Sequence, residues 1–194
     1  GNSMPRQKIT KKMVVDAAFE IARKEGMDQV MVKNIAERLG CSVQPIYSYC
    51  KNMEELKREV TGRVEDFMKQ FLAERIQPKD LFRSTGRAYV QLAGEEPHLF
   101  KIFILHERQE IDSLDALYRR EAGAETAAFI SEQLQISHEA AKELHLNLLI
   151  YTIGIGTIFC MTKPGISLDE IYKRQEMAYE AFLAQIKHRK EDPS

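Results

Sequence analysis

The chain has 194 residues, 44% of them hydrophobic and 29% charged, with a net charge of −1. That size and balance suit one or two helical units with proper cores and exclude a disordered chain, and the near-zero total does not by itself advertise a polyanionic partner. Three cysteines, Cys41, Cys50 and Cys160, are odd in number and lack metal-ligand spacing, which excludes a disulfide framework and fits a reduced, cytoplasmic compartment.

Residues 1–8 read as a disordered arm. Gly1-Asn2-Ser3 ahead of Met4 looks tag-derived, and the polar start shows no secretory signal. From there almost every segment repeats at helical period and no strand alternation lasts, so the fold class is all-α, with about nine helices. Thr10 caps a first helix whose apolar stripe is Val14, Ala17, Ala18, Ile21 and Ala22, and Gly26 stops it. Val32, Ile35, Ala36 and Leu39 make a second stripe of about two turns that ends at Gly40. Ser42 then offers an N-cap, with Pro45 in the first turn of a third helix that runs only to about Tyr49. Asn52 with Glu55 three residues on opens a fourth helix carrying Leu56, Val60, Val64, Phe67, Phe71 and Leu72. Further helices are expected over 80–94, 97–106, 113–134, 137–161 and 167–188, with breaks at Gly94–Pro97 and Lys163–Gly165.

Two turns of helix, a glycine turn and a second short helix form a helix-turn-helix pattern. Such a motif enters the major groove by the start of its second helix. Val43 and Pro45 there suit a thymine methyl, and Gln44 suits an adenine edge. The hydroxyl of Ser42 suits a phosphate, and Tyr47, Ser48 and Lys51 lie where flanking phosphates would pass; Lys33 at the start of the second helix is a further candidate. Charge supports this placement. Residues 1–51 hold nine Lys or Arg against five Asp or Glu, whereas the remainder holds 19 against 24. A basic first piece therefore precedes an acidic body.

The stretch IAERLGCSVQPIYSYCKNMEEL, preceded by AAFEIARKEGMDQVMV, resembles the DNA-binding domain of TetR-type transcriptional regulators. The landmarks are Ala17-Ala18, Gly26, Ile35-Ala36, Gly40, Ser42, Tyr47-Ser48-Tyr49, Lys51 and Glu55-Leu56, over about the first third of the chain. The resemblance implies a homodimer with a helix-turn-helix domain at 9–52, and a larger domain at 53–194 that binds a small effector and supplies the dimer contact. It implies a ligand-responsive regulator, most readily a repressor released from a near-palindromic duplex operator by a small molecule. Two positions depart from the family pattern: Met31 stands where a threonine is common, and Cys50 where a phenylalanine is common. They motivate an alternative, a small-molecule-binding helical dimer whose DNA binding is weak or lost.

Leu144 to Met161 is apolar on nearly all sides, and the last helix carries a long stripe from Leu168 to Ile186. A helix apolar all round must be covered all round. Two such helices from each of two subunits would make a four-helix seam, with Gly154 and Gly156 permitting close approach. The run is interrupted by His145 and Asn147 and is shorter than the ~20 residues of a membrane span. Candidates for an effector pocket between helices are Phe100, Phe103, Ile104, Tyr118, Phe129, Leu148, Tyr151 and Thr152. The five histidines show no paired metal spacing. No nucleophile–base set, phosphate loop or paired acids appear, so neither an enzyme nor a cofactor is expected.

Overall fold

The computed structural model describes residues 8–163 and 165–191. The expected arm, apart from Lys8, lies outside these residues, as does Pro164 of the expected Lys163–Gly165 break. Among the described residues there are ten α-helices, two short 3-10 turns and no strand. In chain order they are α1 (Lys11–Glu25), α2 (Val32–Leu39), α3 (Gln44–Tyr49), α4 (Met53–Arg75), α5 (Leu81–Glu95), α6 (Pro97–Ile104), α7 (Leu114–Glu121), α8 (Ala124–Leu134), α9 (His138–Cys160) and α10 (Leu168–Glu191). Packing gathers them into two compact units. The first runs through Gln70 and takes in His98–Leu105, and the second holds Phe71–Pro97 and the chain from His106 onward.

In the first unit the expected caps act as such. The hydroxyl of Thr10 accepts from the Met13 N–H at 3.2 Å, and Gly26 closes α1 at a φ of 101° that a side chain rarely adopts. Gly40 sits in the left-handed region at φ 66°. Its N–H reaches the Glu37 carbonyl at 3.2 Å, and the N–H of Cys41 reaches that of Ala36 at 3.0 Å. This pairing ends α2 and turns the chain sharply into α3. The stripe Val14, Ala17, Ala18, Ile21 and Ala22 is buried, joined by Val15 and Phe19. On α4, Leu56, Val60, Val64 and Met68 recur every four residues and are all buried. Lys11–Glu59 (2.9 Å) and Arg63–Asp16 (2.6 Å) tie α1 to α4, as do the rings of Phe19 and Phe67, 6.1 Å apart. By packing, the first unit runs to Gln70, because α4 covers α1.

The second unit is built around α9, which packs on α5, α8 and α10. A cluster of Ile130, Ile136, Ala141, Leu144 and Ile186 forms its core. The single helix expected over 113–134 is two helices. Ala122 leaves helical geometry after α7 and Gly123 starts α8, since a glycine inside a helix is a weak link of about 1 kcal/mol. The hydroxyls of Ser137 and Ser167 accept from the N–H groups of Ala140 and Glu170, setting the starts of α9 and α10. At 23 residues and a mean hydropathy of 1.4 over its most apolar stretch, α9 is longer than its apolar run and is long and apolar enough to cross a membrane. Its opening residues His138, Glu139, Lys142 and Glu143 are polar, and it has helical neighbours on several sides.

Candidate nucleic-acid interface and ligand cavity

In the first unit α1, α2 and α3 pack against one another, and α3 is anchored by one buried side chain, Ile46. With Pro45 and Tyr49 half-buried beside it, this anchor leaves Gln44, Tyr47 and Ser48 of the six-residue helix outside. Ser42, Val43, Gln44, Tyr47, Ser48 and Lys51 are exposed, Tyr47 by 60%, while Pro45 is half-buried. Lys33 on the first turn of α2 is exposed too. Ser42 does not cap α3, which starts at Gln44 with Val43 as its N-cap and no side-chain bond there. Ser42 lies one residue too early, so its hydroxyl is left facing water. The Ser48 hydroxyl donates back to the Gln44 carbonyl at 3.3 Å.

Tyr49 is the fixing point of the motif. It is half-buried, and its hydroxyl donates to the Ile9 carbonyl at 2.8 Å, tying the end of α3 to the residue before the cap of α1. Cys50 is buried behind it, and burial, with Glu59 and Glu55 nearby, pushes its thiol up and keeps it neutral. Asp16 is held below the usual carboxylate range by hydrogen bonds from Arg63 and then Lys12. Met31 gives α2 no side-chain cap and is exposed; the amide of Asn34 instead donates to the Gln29 carbonyl at 2.8 Å.

The second unit contains a cavity of about 270 Å³ between α5, the α7–α8 junction, α9 and α10. Of the expected pocket residues, Leu148, Tyr151 and Thr152 line it. Tyr118 is buried beside it, with its hydroxyl 2.8 Å from Nδ1 of the lining His145. Phe100 and Ile104 are buried and Phe103 half-buried on α6, which belongs to the first unit because the chain re-enters it at His98. Phe129 is exposed on the outer face of α8. None of those four lines this cavity.

The polar wall was not foreseen from sequence. It consists chiefly of Arg83, Arg87 and Tyr89 from α5, and Gln175, Glu176 and Tyr179 from α10. The readable signal was Arg83 and Arg87, four apart and hence on one helical face. Arg83 pairs with Glu176 at 2.9 Å and lies 4.5 Å from the Tyr179 ring. Burial pushes Tyr89 and Tyr179 up, keeping both phenols protonated, and pushes His145 down, keeping it neutral. A larger depression of about 520 Å³ lies on the same unit, where Lys142 pairs with Asp115 at 3.2 Å and Arg189 with Glu143 at 2.7 Å, and Glu139 and Lys187 also line it. Among the described residues no group of three or more His, Cys, Asp or Glu gathers as a metal site would.

A model of the family described as bacterial regulatory proteins, tetR family, matches residues 14–60. The uncharacterized HTH-type transcriptional regulator YobS of Bacillus subtilis is 29% identical over 105 residues, 52% of this chain and 54% of that protein. The chain thus spans about half the length of this curated relative. A TetR-like transcriptional regulator from Rhodococcus sp. RHA1 shares the fold at a TM-score of 0.64 and 14% identity, over 94% of this chain and 99% of that one. A TetR-family transcriptional regulator from Streptomyces coelicolor does so at 0.66 and 12%, over 92% and 82%. At those identities the likeness is one of fold. All of these proteins are named as regulators of transcription.

Proposed function

We propose that the chain is a TetR-family DNA-binding regulator, as the match of that family's model to residues 14–60 supports, and that it acts as a homodimeric, ligand-released repressor on a near-palindromic operator. The observation that carries the DNA role is the outer face of α3. One buried residue, Ile46, holds the helix, while Val43, Gln44, Tyr47 and Lys51 are left free. Val43, Gln44 and Pro45 meet base edges in the major groove. Ser42, Tyr47, Ser48, Lys51 and Lys33 meet phosphates and set the register. Selection from random duplexes should return two half-sites about one turn apart, ~34–36 Å. Recovery of single half-sites, or of no sequence at all, contradicts the reading.

The dimer is supported by α9 and α10. Within one chain only Ala141, Leu144 and Gly156 of α9 are buried, whereas Ile150, Ile158, Met161 and, on α10, Met177 are exposed. A Cβ placed on Gly154 would touch nothing. That is the half-covered surface a four-helix seam with a second copy would close. Release follows from the cavity. A ligand that prefers one arrangement of α5 shifts its population, and α5 continues into α6, a helix of the first unit, after Glu96 alone.

A second reading, a ligand-binding dimer with weak DNA affinity, draws on Met31, which brings no hydroxyl to the start of α2. Ligand binding without any affinity for DNA from the chain's own upstream region would favour it.

A further inference from the structure

The cavity wall names a class of ligand. We infer that it takes a small monoanion, a carboxylic acid on an aromatic or alicyclic body, with Arg87 and Arg83 as the carboxylate's partners. This rests on the reading of the cavity as the regulator's ligand site and goes further, to the charge of what binds there.

The charges of the wall do not balance. Arg83 and Arg87 lie one turn apart on α5 and share a single carboxylate, Glu176. Arg83 is 2.9 Å from one oxygen, and Arg87 is 3.9 Å from the other. At 3.9 Å the second contact is too long for a hydrogen bond, so the donors of Arg87 are largely unspent. The other carboxylate of the wall, Glu121, is already held by Arg108, which lies off the wall. His145 is neutral. Two guanidiniums against one available carboxylate leave one positive charge to be answered from outside.

A cationic ligand would need a ring face or a carboxylate to receive it. The face of the lining Tyr179 is covered by Arg83 at 4.5 Å, and both carboxylates of the wall, Glu176 and Glu121, already face an arginine.

Two hydrogen-bonding atoms of the wall are unmet. Nε of Arg83 and Oε1 of Gln175 are both buried and have no partner. The other end of Gln175 is fixed, its amide donating to the Gly86 carbonyl at 3.0 Å. Orphaned buried polar atoms are rare and call for an explanation, which a bound ligand would supply here. A carboxylate drawing on Arg83, and a hydroxyl or N–H donating to Gln175, would satisfy both. Phe82, Ile130, Leu148, Leu149 and Tyr151 supply the apolar remainder of the wall. The volume, about 270 Å³, lies at the lower end of small-molecule sites, ~300 Å³, which fits a one- or two-ring acid.

The test uses three probes of one shape on the full chain: 1-naphthoate, 1-naphthalenemethanol and 1-naphthylmethylammonium. Calorimetric titration should rank them in that order, naphthoate binding about tenfold tighter than the alcohol, as a charge-assisted hydrogen bond at a part-exposed site allows. Arg87→Gln should reduce that ratio to about two- to threefold. Glu176→Gln frees both arginines and should raise it, so the two variants act in opposite directions, which a general folding defect would not do. The proposal is overturned if the alcohol or the ammonium binds as tightly as naphthoate, if no probe binds, or if both variants leave the ratio unchanged. Anisotropy of labelled upstream DNA, run beside each titration, separates the two readings. Tight naphthoate binding without DNA release upholds the ligand class and overturns the effector role. Release by the alcohol as effective as release by naphthoate upholds the effector role and overturns the ligand class.

Discussion

Ile158→Glu tests the proposed seam between subunits. Ile158 is 59% exposed in the single chain, on the outer face of α9. Burying a whole isoleucine stabilises by roughly 1.5–3 kcal/mol, so closing this exposed part contributes about 1–2 kcal/mol per chain and about 2–4 across a twofold axis. Glutamate in its place forfeits that and also brings two carboxylates into an apolar contact, each costing at least ~1 kcal/mol. The sum is about 4 kcal/mol or more, and even ~3 kcal/mol raises the dimer Kd more than a hundredfold. Sedimentation velocity at micromolar chain concentration should show a dimer for the native sequence and a folded monomer for the variant, with helicity followed by circular dichroism. Leu114→Glu is the control. Leu114 is also 59% exposed but lies on α7, outside the seam, and its variant should remain dimeric. The reasoning is refuted if Ile158→Glu sediments as the native chain does, or if Leu114→Glu dissociates equally.

Gly40→Ala should destabilise the first unit by about 1 kcal/mol in urea unfolding, because a left-handed φ of 66° penalises any Cβ while open space around the residue adds no clash. Gln44→Ala should lower discrimination between operator variants by about 1–3 kcal/mol at one base pair per half-site while sparing nonspecific binding, as competition titrations would show. His145 is neutral in the fold because burial lowers its pKa, so the unfolded chain gains its proton first, near pH ~6.5. Stability from this residue is present above that pH and is lost as pH falls through it toward the lowered folded value. Melting temperature should therefore drop between about pH 7.5 and 5.5, and His145→Gln should flatten that drop.

The first unit was largely legible because its signals are local. Thr10, Gly26 and Gly40 are caps and stops whose meaning depends on their own neighbours, and the stripe Val14–Ala22 follows helical period. Ser42 was misread because a capping residue is defined by where the helix begins, and Val43 adopted the cap position through backbone geometry alone. The split at Ala122-Gly123 was overlooked because the apolar period runs on through it, whereas the glycine itself was visible. The cavity was legible only in part. Leu148, Tyr151 and Thr152 share one face of α9, but which face of α5 would meet α10 is a matter of long-range packing. Phe100 and Ile104 look like pocket residues in sequence, and the fold buries both on α6 in the first unit.

The central claim is that the face of α3 meets a duplex twice over in a symmetric pair. Its most direct test is anisotropy of a fluorescent duplex from the upstream region, titrated with the chain across a salt series. Lys33 and Lys51 from each subunit would neutralise four phosphates at the least, giving a slope of log K against log salt of about −3.6 or steeper, and Lys51→Ala should make it shallower by about 2. Absence of binding at low salt, or binding indifferent to salt, would contradict the account.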